Sequence, residues 1–414
     1  MTSLFTGFLP RALAAGLLAA AVGASVGRAQ APQMPAAPLA GGVPALAGGS
    51  YMDAHGNSIV MPASYSAPGA ECYGGGGGYA GQDPGAAYVD FGGYGPDQCG
   101  PYYFDVAVDV VALTPEQMFK GVPPLASVTA LGPTVMDVDS LNDQYDVGWQ
   151  IAVRYDLGPL SVLEATYMGL YDIGFTQTLD SLTETARFFP NDPPQQDQLN
   201  SVFSGYGADP ILGLDEANTY TLDYNSDLQS TELSYRRYWL GYSPRVSGTV
   251  LLGFRYLRMT EDFNFTAVTN VGNGQPSGSQ LFWGTANDLV GFQLGGDGCY
   301  CLLQGLRISA EAKAGVYNNR FKANHFTVIP DPSVANVDAA IDGNQVAFAT
   351  DAKVELVCDI LPSWSLRGGY RVLYMNNLAT VGQQINAADI SSAALFSQAD
   401  ALYHGFHAGL EYIW

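Results

Sequence analysis

Positive charge is scarce in this chain: 17 Lys and Arg stand against 39 Asp and Glu, a formal net charge of -22 over 414 residues. With no basic stripe to neutralise phosphates, nucleic acid is excluded as a partner. Long apolar runs are also lacking. After the first thirty positions none reaches the ~18 residues that a membrane-crossing helix needs. Residence in a membrane would therefore require a closed barrel of strands. Histidine (4) and cysteine (5) are few. Beyond the N-terminal apolar run no G-x-S-x-G elbow occurs, nor any EF-type loop or nonapeptide repeat, so hydrolase and calcium-sensor readings have no motif to stand on. What is abundant is glycine (49), tyrosine (25) and apolar side chains (47%). That composition suits an aromatic-rich β protein whose loops carry the acid.

The N-terminus reads as an export signal, residues 1–31. Arg11 precedes the apolar run Ala12 to Val26, and Ala29-Gln30-Ala31 forms an A-x-A cleavage pattern. There is no cysteine at the cleavage point, so no lipoprotein anchor is indicated. Residues 32–100 are rich in Pro, Ala and Gly, with an unbroken run from Gly74 to Gly78. Such a segment cannot build a core, and the expectation is a largely disordered periplasmic spacer.

From residue 101 to 414 the pattern changes to a period of two, which no soluble helix produces. The last stretch is the clearest: Leu402, His404, Phe406, Ala408, Leu410, Tyr412 and Trp414 share one face. The other face holds Tyr403, Gly405, His407, Gly409 and Glu411. Similar alternation starts near Phe104, Tyr145, Leu160, Glu232, Val250, Asn287, Leu306, Val346 and Trp364, so about ten strands are expected, with eight or twelve as alternatives. Connections alternate between long ones, about 25 to nearly 60 residues, and short ones of about 3 to 9. The expected fold is all-β, a closed antiparallel transmembrane barrel with long external loops and short periplasmic turns. A soluble sandwich would have no reason to segregate its loops in this way. The long stretch from Ile173 to Asp227 leaves room for strand extensions.

Aromatic residues fall at strand ends. Tyr102, Tyr155, Trp239, Trp364 and Trp414 are assigned to the periplasmic interface, and Tyr145, Tyr171, Tyr256 and Tyr374 to the external one. Two girdles are expected where an amphipathic ring keeps one edge wet. Trp414 is also expected to end the signal read by the barrel-assembly machinery. On the opposite, inward face lie Asp105, Asp109, Glu164, Glu232, Glu311, Asp351, Glu355 and Glu411. They share it with Arg154, Arg236, Arg255, Arg307, Lys313, Lys353, Arg367 and Arg371. Balanced signs in a narrow barrel favour a salt-bridge ladder over a one-sign selectivity ring, with a small-solute pore as the other reading.

The remaining polar residues suggest little chemistry. His325 is placed in an external loop near Asp331, where it could imitate an acid/base pair, and His404 on the apolar face near the external interface. The loop acids Asp331, Asp338 and Asp342, and the pair Asp262 and Asp288, read as solvated rather than calcium-binding. For the cysteines, a disulfide from Cys301 to Cys358 is expected at the periplasmic edge, with Cys299 as the alternative partner.

From Glu232 onward the sequence resembles the planctomycete outer-membrane β-barrel family known as β-barrel porin family seven. The resemblance is carried by Gly253-Phe254-Arg255-Tyr256-Leu257 with Glu261, and by Asn287 with Gly291-Phe292-Gln293-Leu294-Gly295. It continues in Lys313-Ala314-Gly315 and in Gly369-Tyr370-Arg371-Val372-Leu373-Tyr374 with Ala379 and Gln384-Ile385. It implies an outer-membrane location and a barrel fold, and no substrate or reaction. The functional expectation is a structural or porin-like barrel with no catalysis and no cofactor. A surface binding or adhesion barrel using long acidic loops is the alternative. In either case the expected partners are outer-membrane lipid and, during biogenesis, the assembly machinery; the oligomeric state is not legible.

Overall fold

The computed structural model describes residues 104–413 apart from 117, 120, 139–144, 159, 194, 241–244, 272–274, 304, 362 and 386–395. It also describes two short strands, Ser50–Met52 and Ser58–Val60, which pair antiparallel. The signal-peptide reading, most of the 32–100 spacer, Tyr102, Trp414, Cys72 and Cys99 lie outside the described residues.

The barrel strands are β1 (Phe104–Glu116), β2 (Asp146–Gly158), β3 (Ser161–Asp180), β4 (Thr219–Leu240) and β5 (Val246–Val271). They continue as β6 (Gln275–Leu303), β7 (Leu306–Val328), β8 (Asp338–Leu361), β9 (Trp364–Leu378) and β10 (Ala399–Ile413). Each pairs antiparallel with its neighbours in sequence, and β10 closes on β1, from Leu402 opposite Glu116 to Ile413 opposite Asp105. The fold is a closed ten-stranded antiparallel barrel. No described helix is long and apolar enough to cross a membrane.

Strand length is uneven, and this corrects the loop pattern. β1, β2, β9 and β10 have 13, 13, 15 and 15 residues, whereas β4 to β8 have 22, 26, 29, 23 and 24. A tilted strand needs only about 9–11 residues to span a bilayer. The rest of each long strand continues beyond it as a projecting wall. The long external loop expected after the fifth strand is mostly strand, since β5 runs to Val271 and β6 starts at Gln275. Likewise Ile173 to Asp227 contains the end of β3, the start of β4 and helix α1 (Ser181–Phe188), whose Asp180 N-cap accepts from the Thr183 backbone N–H.

The polarity of the two faces inverts along the wall, while the buried face stays the same. On β5 the outward side chains Val250, Leu252 and Phe254 are exposed and apolar, and Gly253 and Arg255 face inward. Past Tyr256 the outward face becomes Arg258, Thr260, Asp262, Asn264 and Thr266, while Leu257, Met259, Phe263, Phe265 and Ala267 turn into the core. The lower part is therefore dressed for lipid and the upper part for water. An apolar interior needs filling, and the external connections supply the filler. Phe119, Leu125, Val128, Val202, Phe203 and Val381 pack against wall residues in one cluster. Phe203 stacks on Trp283 with centroids 5.8 Å apart, and Phe119 meets Tyr224 edge-on at 4.9 Å. A small sheet of Thr134–Val135, Ala126–Val128 and Leu199–Ser201 ties the first two external connections together.

Two sequence expectations are corrected here. His325 is not in a loop: it lies in β7, buried, with its ring parallel to Trp283 at 4.7 Å. Asp331 instead accepts from the Leu212 backbone N–H at 2.8 Å and from Ser333. The Cys301–Cys358 disulfide does not form. Cys301 is disulfide-bonded, but Cys358 is a free, exposed thiol. Cys301 is on β6 and faces inward, and Cys358 is on β8 and faces outward, with β7 between them. Sharing an edge is not enough when side chains leave opposite faces.

Candidate functional site

The membrane-level interior is the densest polar region of the molecule, and strand parity builds it. Odd positions of β1, β5, β6, β7, β8 and β9 and even positions of β2, β3 and β4 point inward at this level. One face of each strand therefore contributes to a common centre. All the charged residues assigned to that face are found there, largely buried and engaged with one another.

Arg236 is the hub of the lower layer. Its guanidinium donates to Glu164 at 2.7 Å, Glu311 at 2.8 Å and Asp297 at 2.8 Å. Arg154 donates to Glu164 and Glu411, both at 2.7 Å, and lies 3.6 Å from Asp105. Arg307 donates to Asp359 at 2.9 Å and lies 3.6 Å from Glu411. Above them, Arg255 bridges Glu232 (3.2 Å) and Asp351 (3.0 Å). Lys313 joins Glu232 to Glu311, each at 2.9 Å. Lys353 lies 3.4 Å from Glu355, which His407 also approaches at 3.4 Å. Arg367 clamps Asp109 through two donors, and Arg371 clamps Asp351 in the same way. Arg371 also donates to Gln150 at 2.7 Å.

Acids and bases thus alternate around the lumen, and little empty space remains. Residues including Gln150, Arg154, Glu164, Glu232, Arg236, Lys313 and Arg371 surround a cavity of about 20 Å³, on the order of one water. Gly409 shows how tight the fit is: a Cβ there would meet Asp109 Oδ1 and the Val108 carbonyl at 2.2 Å each. Sequence reading missed Asp297 and Asp359. Both continue a parity already in view, 293-295-297 on β6 and 355-357-359 on β8. Asp297 was hidden in a glycine-rich run, and Asp359 lies past the recognised strand end.

A second polar layer closes the external mouth. The connection after β9 crosses the barrel as a strap containing the short helix α2 (Val381–Gln384), and side chains from successive wall strands hold its backbone. Glu261 of β5 accepts the Val381 backbone N–H at 3.0 Å, along with the Tyr224 hydroxyl at 2.8 Å and Thr285 at 3.1 Å. Asn287 of β6 bonds both the N–H and the carbonyl of Ala379, at 2.8 and 2.7 Å. Asn319 of β7 donates to the Asn377 carbonyl at 3.0 Å. Gln345 of β8 donates to the carbonyls of Asn377 and Ser397, both at 2.6 Å. Gly382 is required where the strap crosses the first connection, since a Cβ would lie 1.9 Å from the Met118 carbonyl. Among the described residues no cation lies beside Glu261 in this layer, which stands above the apolar band, and burial pushes its carboxyl up to about 7.

The aromatic residues face outward. Tyr155, Trp239 and Trp364 are exposed at one end of the barrel, and Tyr145 and Tyr171 at the other. Tyr256 and Tyr374 sit half-buried on the same outer surface. Trp364 packs on Tyr412 at 4.7 Å. Near the external end, the Tyr370 hydroxyl lies 2.6 Å from His404 Nδ1, and Glu116 lies 3.5 Å from the other ring nitrogen. Among the described residues no group of His, Cys, Asp and Glu is arranged to hold a metal ion.

No curated protein matches this chain. Among solved structures, the outer membrane protease OmpT from Escherichia coli is similar at 9% identity and a TM-score of 0.37, covering 77% of this chain and 99% of that one. A major outer membrane protein from Thermus thermophilus is similar at 12% identity and a TM-score of 0.29, covering 76% and 100%. The P. putida toluene transporter TodX is similar at 9% identity and a TM-score of 0.28, covering 76% and 90%. At TM-scores this low these likenesses carry no argument, and the barrel rests on its own strand register. In sequence, residues 215–414, from the end of the second external connection to the last strand, match the family described as Putative beta barrel porin-7 (BBP7).

Proposed function

We propose that this protein is a sealed outer-membrane barrel with a structural role: it anchors and displays its projecting wall, and it neither conducts solutes nor catalyses a reaction. The observation that carries this reading is the filled interior, a cavity of about 20 Å³ at membrane level beneath an apolar core capped by the strap. A ten-stranded barrel is narrow enough for side chains to fill it. Here the charges pair with one another, so no one-sign ring remains to select an ion. The exported chain would be inserted by the barrel-assembly machinery and held by outer-membrane lipid around its apolar band. One further observation favours display as the purpose. β4 to β8 carry their polar outer face well beyond the bilayer, which suits contact with a surface ligand more than passage through a lumen.

Planar-bilayer recording of the purified, folded protein tests the proposal. The expected result is a silent bilayer at neutral pH. Stable ohmic steps would establish an open pore and overturn the sealed reading.

A further inference from the structure

Lys and Arg are few, and most of those in the barrel strands are spent inside. On the outward face beyond the apolar band, the described strands carry Arg258 on β5 and Arg320 and Lys322 on β7. Strand register brings them together. Arg258 is opposite Asp288 of β6, and Asp288 is opposite Arg320. The two arginines therefore stand two strand spacings apart, ~10 Å. Lys322 is two residues further along β7 and leaves the same face.

The depth of this row is set by the sequence beneath it. One step toward the barrel base, the register runs Tyr256, Val290, Asn318, Val346. The step below that holds Phe254, Phe292, Val316 and Phe348, all exposed and apolar. The cations thus sit within about 7–14 Å along the strand of the last lipid-facing side chains, where headgroup phosphates lie. Acidic neighbours do not consume them. Asp288 accepts the Tyr256 hydroxyl at 2.6 Å, and its approach to Arg258 is 3.9 Å, too long for a hydrogen bond. Lys322 is opposite Asp342 in register, but neither it nor Arg320 forms an ion pair with any described residue, and both are exposed.

We infer that Arg320 and Lys322, flanked by Arg258, bind the phosphate of anionic lipid headgroups in the external leaflet and fix the height and rotation of the barrel there. A guanidinium and an ammonium on one strand face offer a forked and a point donor to the same phosphate. Headgroup-level cations are the ordinary means of attracting anionic lipid. The inference rests on the membrane-spanning reading, and the test separates the two.

The folded protein is reconstituted into phosphatidylcholine vesicles containing one-fifth phosphatidylglycerol. The motionally restricted fraction of spin-labelled phosphatidylglycerol is compared with that of spin-labelled phosphatidylcholine. The wild type should prefer the anionic label by about threefold, less at high salt. The double variant R320Q/K322Q should lose at least half of that preference, and the charge-preserving R320K/K322R should keep it. Insertion without any preference, or an undiminished preference in R320Q/K322Q, overturns the headgroup site alone. Failure of the folded chain to insert at all would overturn the membrane reading and this inference with it.

Discussion

Individual side chains carry two opposite electrostatic strategies in one barrel. Arg236 is buried but surrounded by Glu164, Glu311 and Asp297, so its charge is offset by direct partners. Replacing it with Met would leave three buried carboxylates facing one another without their shared cation. Breaking a buried network in this way typically costs about 3–5 kcal/mol. Chemical denaturation of Arg236→Met should show a loss of that order, and an unchanged midpoint would mean the network relaxes or hydrates freely. Glu261 is the contrasting case, a buried carboxyl whose donors among the described residues, Tyr224, Thr285 and the Val381 N–H, are all neutral. Its folded value of about 7 lies above the ordinary 4.5. The stability it lends is therefore complete below about pH 4.5 and is lost as pH rises through about 7. The expected fall over that window is ~3 kcal/mol as an upper figure. Glu261→Gln should flatten the dependence of unfolding midpoint on pH between 5 and 8. A variant with the same slope as wild type would reassign the titration to another group.

At the scale of elements, the strands are continuous but their two faces exchange roles. Period-two alternation is legible in the sequence, and at membrane level each strand has one buried and one exposed face because each flip of a strand is compulsory. The inversion above Tyr256 was not legible in the same way. Leu257, Met259, Phe263 and Phe265 alternate with polar neighbours just as Val250, Leu252 and Phe254 do. Alternation reports that two faces differ, not which of them meets lipid. The stretch Ile173–Asp227, where the sequence left room for strand extensions, is strand at both its ends. The strap is an element whose hold comes entirely from distant side chains. Asn287 satisfies both backbone groups of Ala379. Asn287→Leu should therefore destabilise the closed mouth by about 1–3 kcal/mol, the cost of leaving buried backbone groups unpaired. Limited proteolysis within residues 379–398 checks this: cleavage should speed up in the variant while the membrane-level barrel stays resistant.

On the scale of the whole molecule, the protein is a short barrel carrying a taller, one-sided wall. β3 to β8 rise above the bilayer, while β9, β10, β1 and β2 end near it. The low side is completed by the strap and the first external connection. In the proposed reading the barrel is sealed twice, by paired charges at membrane level and by apolar packing above. A conductance measurement on the intact protein addresses both seals together, and silence is the expected outcome. If a variant lacking the strap also stays silent, the ionic layer alone is sufficient. The exterior also shows what net charge conceals. At -22 the chain has no basic stripe in sequence, yet register gathers Arg258, Arg320 and Lys322 into one small patch.

By itself the sequence determined the class of the protein, a count of about ten strands and the two-faced character of each strand. These follow from local chemistry, since alternation, turn spacing and aromatic ends are properties of neighbouring residues. Only the tertiary structure decided which charges meet, that the lumen is full, that the upper interior is apolar and that Cys301 and Cys358 leave opposite faces. Those outcomes depend on register and on distances across the barrel between residues far apart in the chain, such as Arg154 and Glu411. No local pattern encodes them.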